Sequence, residues 1–223
     1  MNVNKKEGLR RIVTTAMLTA LAYAITLVFH FEVMFLTLDL KDAVIALAAL
    51  LYGPLYGVVS AVLVALIELV SISDTGVYGL IMNVLSSGCF AFTVGAVYKA
   101  RRTFSGAIAA AGAAIVTVTA VMLLANLFIT PYYMGVERSV VVSLLPTLLF
   151  PFNLTKGILN AALMLVFYKP VTTALRLARL VPKSKGEYRF GLKSILLFVG
   201  SFVAAVASVL FILLYLGGSI EFF

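Results

Sequence analysis

Apolar residues run along this chain in long blocks with no period of two, and polar residues collect in the gaps between them. A block that is apolar all round suits a helix in lipid, where every backbone group must be satisfied within the segment. The first block is uncharged from Ile12 to Phe29, close to the ~20 residues that cross a bilayer. Ala22-Tyr23-Ala24 inside it fits a secretory cleavage pattern, but the spans that follow favour a retained first helix. Residues His30 to Leu38 read as an aromatic and apolar linker. The next block, Ala43 to Tyr52, is too short to cross alone. It must borrow its polar outer end or lie tilted, and either places the Asp39-Leu40-Lys41-Asp42 cluster close to the outer membrane face.

Gly53-Pro54-Leu55-Tyr56-Gly57 is a tight turn leading into a third span that ends near Val70, with Glu68 close to its far end. After the turn at Asp74-Thr75-Gly76, a fourth span covers about Val77 to Tyr98 and holds Asn83. The fifth runs from Phe104 to Thr130, the sixth from about Leu144 to Tyr168, and a final uncharged run from Ser194 to Ile220 is long enough to cross once more. Composition agrees with this pattern: 63% hydrophobic residues, only 12% charged and a mean hydropathy of +1.13 lie far outside the range of soluble domains. The expectation is an all-α integral membrane protein.

A formal charge of +8 suggests nucleic acid until the basic residues are placed. They fall between the apolar blocks: Lys5, Lys6, Arg10 and Arg11, then Lys99, Arg101 and Arg102, then the linker from Lys169 to Lys193, with mainly Arg138 on the opposite side. That is the positive-inside pattern for an inner N-terminus. Cys89 and His30 are the single cysteine and histidine, so no intrachain disulfide and no multi-histidine metal site is expected. Phosphate-cradling, zinc-hydrolase and nucleophile-elbow motifs are all missing, so an enzyme is not expected either.

The candidate chemistry lies in Leu149-Phe150-Pro151-Phe152-Asn153-Leu154-Thr155-Lys156-Gly157. A lysine in the middle of a span costs about 2.5–3.5 kcal/mol, so it normally faces a cavity, a charge or a ligand. Asn153 and Lys156 are three apart and share a helix face. Pro151 has no N–H, so the backbone just before them should be irregular, which membranes tolerate where it lines a cavity. By the topology, Asn126, Asn153, Lys156 and the Asp39 to Asp42 cluster can approach one cavity, with Phe35, Tyr78, Phe128, Tyr132, Phe150 and Phe152 at comparable depths. Such a site would take a flat, largely uncharged ligand rich in carbonyl acceptors. The plain alternative is that the asparagines hold helices together, at ~0.6 kcal/mol each, and that Lys156 pairs with Glu68. Ala16, Ala20 and Ala24 form a smooth helix face for close approach of another helix, within this chain or outside it. Glu68 alone could serve as a proton or sodium site, but one carboxylate near a span end, with no second acid at helical spacing, is weak evidence for ion coupling.

Taken together, the Ala16, Ala20 and Ala24 face, the Gly53-Pro54 and Gly57 turn, Asn126 followed by Thr130-Pro131-Tyr132-Tyr133-Met134-Gly135, and Pro151-Phe152-Asn153-Leu154 with Lys156-Gly157 resemble the riboflavin-specific substrate-binding (S) component of energy-coupling factor vitamin transporters, the RibU family. The resemblance covers about Lys5 to Pro182. It implies a six-helix S-component bundle over residues 1–182 that captures riboflavin at the outer face of the bacterial cell membrane, with a cytoplasmic N-terminus. Residues 183–223, a basic linker and an extra C-terminal transmembrane helix, depart from that pattern. The resemblance also implies partners, a transmembrane coupling subunit and two ATP-binding-cassette (ABC) ATPases, with Ala16, Ala20 and Ala24 as the docking face. Asn126, Asn153 and Lys156 match positions that hydrogen-bond the flavin ring; Tyr78, Phe128, Tyr132 and Phe152 would stack on it, and Leu38, Asp39, Leu40 and Lys41 would close over it. No cofactor is implied, riboflavin being the cargo. Alternatives are an S component for thiamine or a folate, sharing the fold, or a self-sufficient carrier coupled to protons through Glu68.

Overall fold

The computed structural model describes residues 3–178, 180, 192–217 and 219–221. Helix α1 (Val3–Val28) is followed by a β-hairpin, β1 (His30–Val33) and β2 (Leu36–Asp39), and then by α2 (Lys41–Tyr52), α3 (Pro54–Ser71), α4 (Gly76–Ala100) and α5 (Phe104–Met134). A short α6 (Arg138–Leu144) passes through a π-helical turn (Leu145–Leu149) into α7 (Phe150–Leu177); α8 (Leu192–Tyr215) and β3 (Ser219–Glu221) complete the described chain. Among the described residues six helices are long and apolar enough to cross a membrane, lying in α1, α3, α4, α5, the α6–α7 unit and α8. The fold is that of an all-α, multi-pass membrane protein, with α8 added to a six-helix bundle.

Helix α2 organises the bundle. At twelve residues it is about 18 Å long, well short of the ~30 Å hydrocarbon core. Instead of spanning, it is enclosed: every residue from Lys41 to Leu50 is buried, and α1, α3, α4 and α7 all touch it. The polar cluster at its start is therefore inside the protein, with Asp39, Lys41 and Asp42 each 2% exposed. Gly53, at φ 106°, makes the turn into α3 in a conformation that side chains disfavour. Gly57 then lets three helices close on one another, since a Cβ there would meet the Cβ atoms of Ala49 and Ala91 at 2.7 and 2.9 Å.

Helix α5 runs one turn beyond the expected end at Thr130, because Pro131 forfeits a single ladder bond near a helix terminus. The helix ends at Gly135, in the left-handed region. The irregular backbone expected before Asn153 is the π turn: the Phe150 N–H reaches back to the Leu145 carbonyl, five residues away, just ahead of Pro151.

The segment read as a linker is instead the β1–β2 hairpin, with Val33 opposite Leu36 and the turn at Met34-Phe35, where Met34 has φ 56°. On its other edge β1 pairs with β3, so the sheet order is β2-β1-β3. Beneath this sheet Val33 and Leu38 join Leu148, Phe152, Leu159, Ala162, Ala205 and Ile212 in one buried apolar cluster that ties the hairpin to α7 and α8. A larger core fills the space around α2.

Candidate functional site

A cavity of about 380 Å³ opens between the hairpin, the α3–α4 loop and the facing ends of α4, α5 and α7. That is within the size range of small-molecule sites. Thr37 and Asp39 reach it from β2, Tyr78 and Asn83 from α4, Asn126, Thr130 and Tyr133 from α5, and Phe152, Asn153 and Lys156 from α7. Met34, 72% exposed, also lines it and so places the hairpin turn at its mouth.

A buried charge network forms one wall. Lys156 Nζ lies 3.0 Å from Asp39 Oδ2 and donates to the Thr37 carbonyl at 3.3 Å. Lys41 Nζ lies 3.2 Å from the same Asp39 oxygen and 2.8 Å from both oxygens of Glu68, which also accepts from Asn83 Nδ2 at 2.9 Å. Asp42 accepts from the Ser87 hydroxyl. Both lysines are thus paired with carboxylates, as burial requires, whereas Asp42 has the Ser87 hydroxyl and no salt bridge among the described residues. Oδ1 of Asp39 is buried with no donor among the described residues. Asn160, fully buried, locks the corner: its Nδ2 donates to the carbonyls of Asp39 (3.1 Å) and Lys156 (3.2 Å), and its Oδ1 accepts from the Ala43 N–H at the start of α2 (3.0 Å).

Two amides line the cavity beside this wall, Asn126 from α5 and Asn153 one turn before Lys156 on α7. Asn126 Nδ2 donates to the Met122 carbonyl (2.7 Å) and its Oδ1 accepts from Thr130 Oγ1 (2.8 Å), which fixes the orientation of the amide. Asn153 Nδ2 donates to the Leu149 carbonyl (2.7 Å), and its Oδ1 has no donor among the described residues. Each Nδ2 keeps a second hydrogen, and Lys156 has a third. The rings of Tyr78 and Tyr133 meet at 6.3 Å and 57° on the rim. Ammonium and amide donors at one end, with aromatic faces near the opening, suit a planar ligand that carries carbonyl oxygens.

Of the residues singled out from the sequence, Asn126, Asn153, Lys156, Asp39, Lys41, Tyr78 and Phe152 line the cavity. Leu38 and Leu40 do not: Leu38 is fully buried in the cluster beneath the sheet and Leu40 packs against it, because alternation along a strand sends Thr37 and Asp39 one way and Leu38 the other. Phe128 and Tyr132 also point away, 53% and 74% exposed, with the Arg138 guanidinium over the Phe128 ring. Counting from Asn126 at 100° per residue puts Thr130 and Tyr133 on its face and Phe128 and Tyr132 behind it. That count picks out Thr130 and Tyr133, which with Met122 and Ile129 are the α5 lining residues not named as site residues above. Glu68 pairs with Lys41 and not with Lys156. The acid partner of Lys156, on a hairpin 117 residues away, carried no local signal.

Ala16, Ala20 and Ala24 are all exposed, whereas Leu18, Thr19 and Ala22 face the bundle and Thr19 meets Ser60 of α3 at 2.7 Å. Among the described residues the alanine face is therefore left uncovered.

Fold and cavity define a multi-pass helical membrane protein with a partly open cavity of small-molecule size. Residues 10–168 match the family described as the ECF transporter substrate-specific component, and the chain belongs to that family. It is 27% identical over 189 residues to the riboflavin transporter RibU of Staphylococcus aureus (strain TCH60), a match covering 79% of this chain and 99% of that protein. A solved structure of the S component of a bacterial ECF transporter superimposes with a TM-score of 0.65 at 27% identity, covering 76% of this chain and 99% of that one.

Proposed function

We propose that this chain is the riboflavin-capturing subunit of an ATP-driven vitamin importer. The convergence of Lys156, Asn153 and Asn126 on one cavity carries the reading, in a chain whose curated relative is named a riboflavin transporter. The pyrimidine edge of the isoalloxazine ring offers carbonyl oxygens and a basic nitrogen to an ammonium, and an imide that an asparagine both donates to and accepts from. Tyr78 and Tyr133 supply aromatic faces for the ring, and Thr37, Asp39 and Thr130 offer polar partners for its ribityl hydroxyls.

Capture is not transport, and the chain carries no phosphate-cradling loop of its own. Energy would come from a transmembrane coupling subunit with two ABC ATPases, and the exposed Ala16, Ala20 and Ala24 face is where the coupling subunit would dock, small side chains letting backbones approach closely. The N-terminus would lie in the cytoplasm and the cavity would open to the outside, as the basic loops demand.

The test is purification of the chain alone in detergent followed by titration with riboflavin, read as quenching of flavin fluorescence. Tight, stoichiometric quenching is expected. A folded sample that leaves riboflavin unquenched while binding thiamine or a folate would move the specificity to that vitamin. Uptake into vesicles by the chain alone, driven by a pH gradient, would overturn the subunit reading.

A further inference from the structure

Strand β1 has two partners. It pairs with β2 across the hairpin, and on its outer edge it pairs antiparallel with β3, His30 opposite Glu221, Phe31 opposite Ile220 and Glu32 opposite Ser219. The hairpin so gripped supplies Glu32, Phe35, Thr37 and Asp39 to the cavity wall and puts Met34 at the mouth. A two-stranded hairpin is marginal by itself in water, and a third strand completes its open edge. Helix α8 anchors that strand: its Ala205 and Ile212 are buried with Val33 and Leu38 of the hairpin and with Phe152, which also lines the cavity. One segment therefore holds the hairpin by backbone bonds at its edge and by apolar contact from beneath. The region that matches the family ends at residue 168, before α8 and β3.

We propose that α8 and β3 form a strap that restrains the β1–β2 hairpin against the cavity and thereby sets how fast ligand enters and leaves. The ligand-exchange part rests on the riboflavin reading; the restraint itself does not. A restraint present whether the site is full or empty slows both directions, so removing it should change rates more than affinity.

The experiment compares the full chain with one ending at Gly217, which keeps α8 and lacks β3. In stopped-flow fluorescence with riboflavin, both association and dissociation should rise by roughly threefold or more in the shortened chain, with Kd moving less than either rate. A Phe31→Cys, Ile220→Cys pair in a Cys89→Ala background should do the reverse when oxidised, slowing both rates, and reductant should restore them. Rates within about twofold of the full chain would overturn the strap. So would weakening carried by dissociation alone, which marks a lost ligand contact. Hydrogen exchange of the hairpin amides, measured without ligand, separates the two readings. Faster exchange in the shortened chain supports the strap even if riboflavin does not bind, and equal exchange overturns it.

Discussion

Lys156 of α7 is bonded twice to β2, to the Asp39 carboxylate at 3.0 Å and to the Thr37 carbonyl at 3.3 Å, so one ammonium ties two walls of the cavity together while facing into it. The tie is shared, since Lys41 contacts the same carboxylate oxygen at 3.2 Å. Lys156→Ala should weaken riboflavin binding at least tenfold, about 1.4 kcal/mol, in fluorescence titration. Unchanged affinity would remove Lys156 from the ligand's contacts.

Asp39 is the member that both lysines contact. Asp39→Asn leaves Lys156 buried without an acid partner, while Lys41 keeps Glu68. Breaking a buried pair from one side costs about 3–5 kcal/mol, so thermal melts in detergent should show a clear loss of stability. Adding Lys156→Met should recover much of it, because the stranded charge is gone. A double variant no more stable than Asp39→Asn alone would mean that the pair is not the source of the loss.

The two tyrosines at the end of α5 should separate cleanly. Tyr133 lines the cavity beside Tyr78, whereas Tyr132 is 74% exposed. Tyr133→Ala should cost about 0.5–1.5 kcal/mol of binding, roughly twofold to twelvefold in Kd. Tyr132→Ala should leave Kd within about twofold, as expected of a side chain that points away. Equal effects would contradict the orientation of α5.

Asn160 touches no cavity surface yet joins the hairpin, α2 and α7 through three hydrogen bonds. Replacing it with Ala strands buried groups worth about 1–3 kcal/mol each. A lower melting temperature is expected, with weaker riboflavin binding as the Asp39 corner loosens. Wild-type stability would show that other groups fill those bonds.

Bulk on the exposed alanine face should act elsewhere. Ala20→Trp should prevent co-purification with a coupling subunit and leave riboflavin affinity unchanged, because Ala20 is exposed and does not line the cavity. Loss of both together would instead point to disruption of the bundle.

Much of this fold was legible because lipid leaves few choices. An uncharged run of sufficient length must be a helix, and the runs around α1, α3, α4, α5, α7 and α8 were visible for that reason, as were the Gly53-Pro54 turn and the irregular backbone before Asn153. The β1–β2 hairpin escaped because its strands are four residues long and sit between two apolar runs without an Asn-Gly turn to mark them. Its third strand was hidden more deeply, since β1 and β3 are joined only through a contact far apart in sequence.

At the site, the residue types on α7 and α5 announced themselves: an ammonium and two amides do not belong in lipid unless something compensates them. Which neighbours faced them depended on phase. Thr130 and Tyr133 follow from the helical period once Asn126 is chosen, and Thr37 and Asp39 follow from strand alternation once a strand is known. The sequence by itself determined that this chain crosses the membrane repeatedly, and it marked Asn126, Asn153 and Lys156 as residues needing a reason. Only the tertiary structure decided that Asp39 answers Lys156, that Glu68 answers Lys41, and that α8 and β3 close on the hairpin. The physical reason is that hydropathy and backbone geometry are properties of neighbouring residues, whereas charge compensation in a low-dielectric interior is settled by whichever distant element the packing brings within about 3 Å.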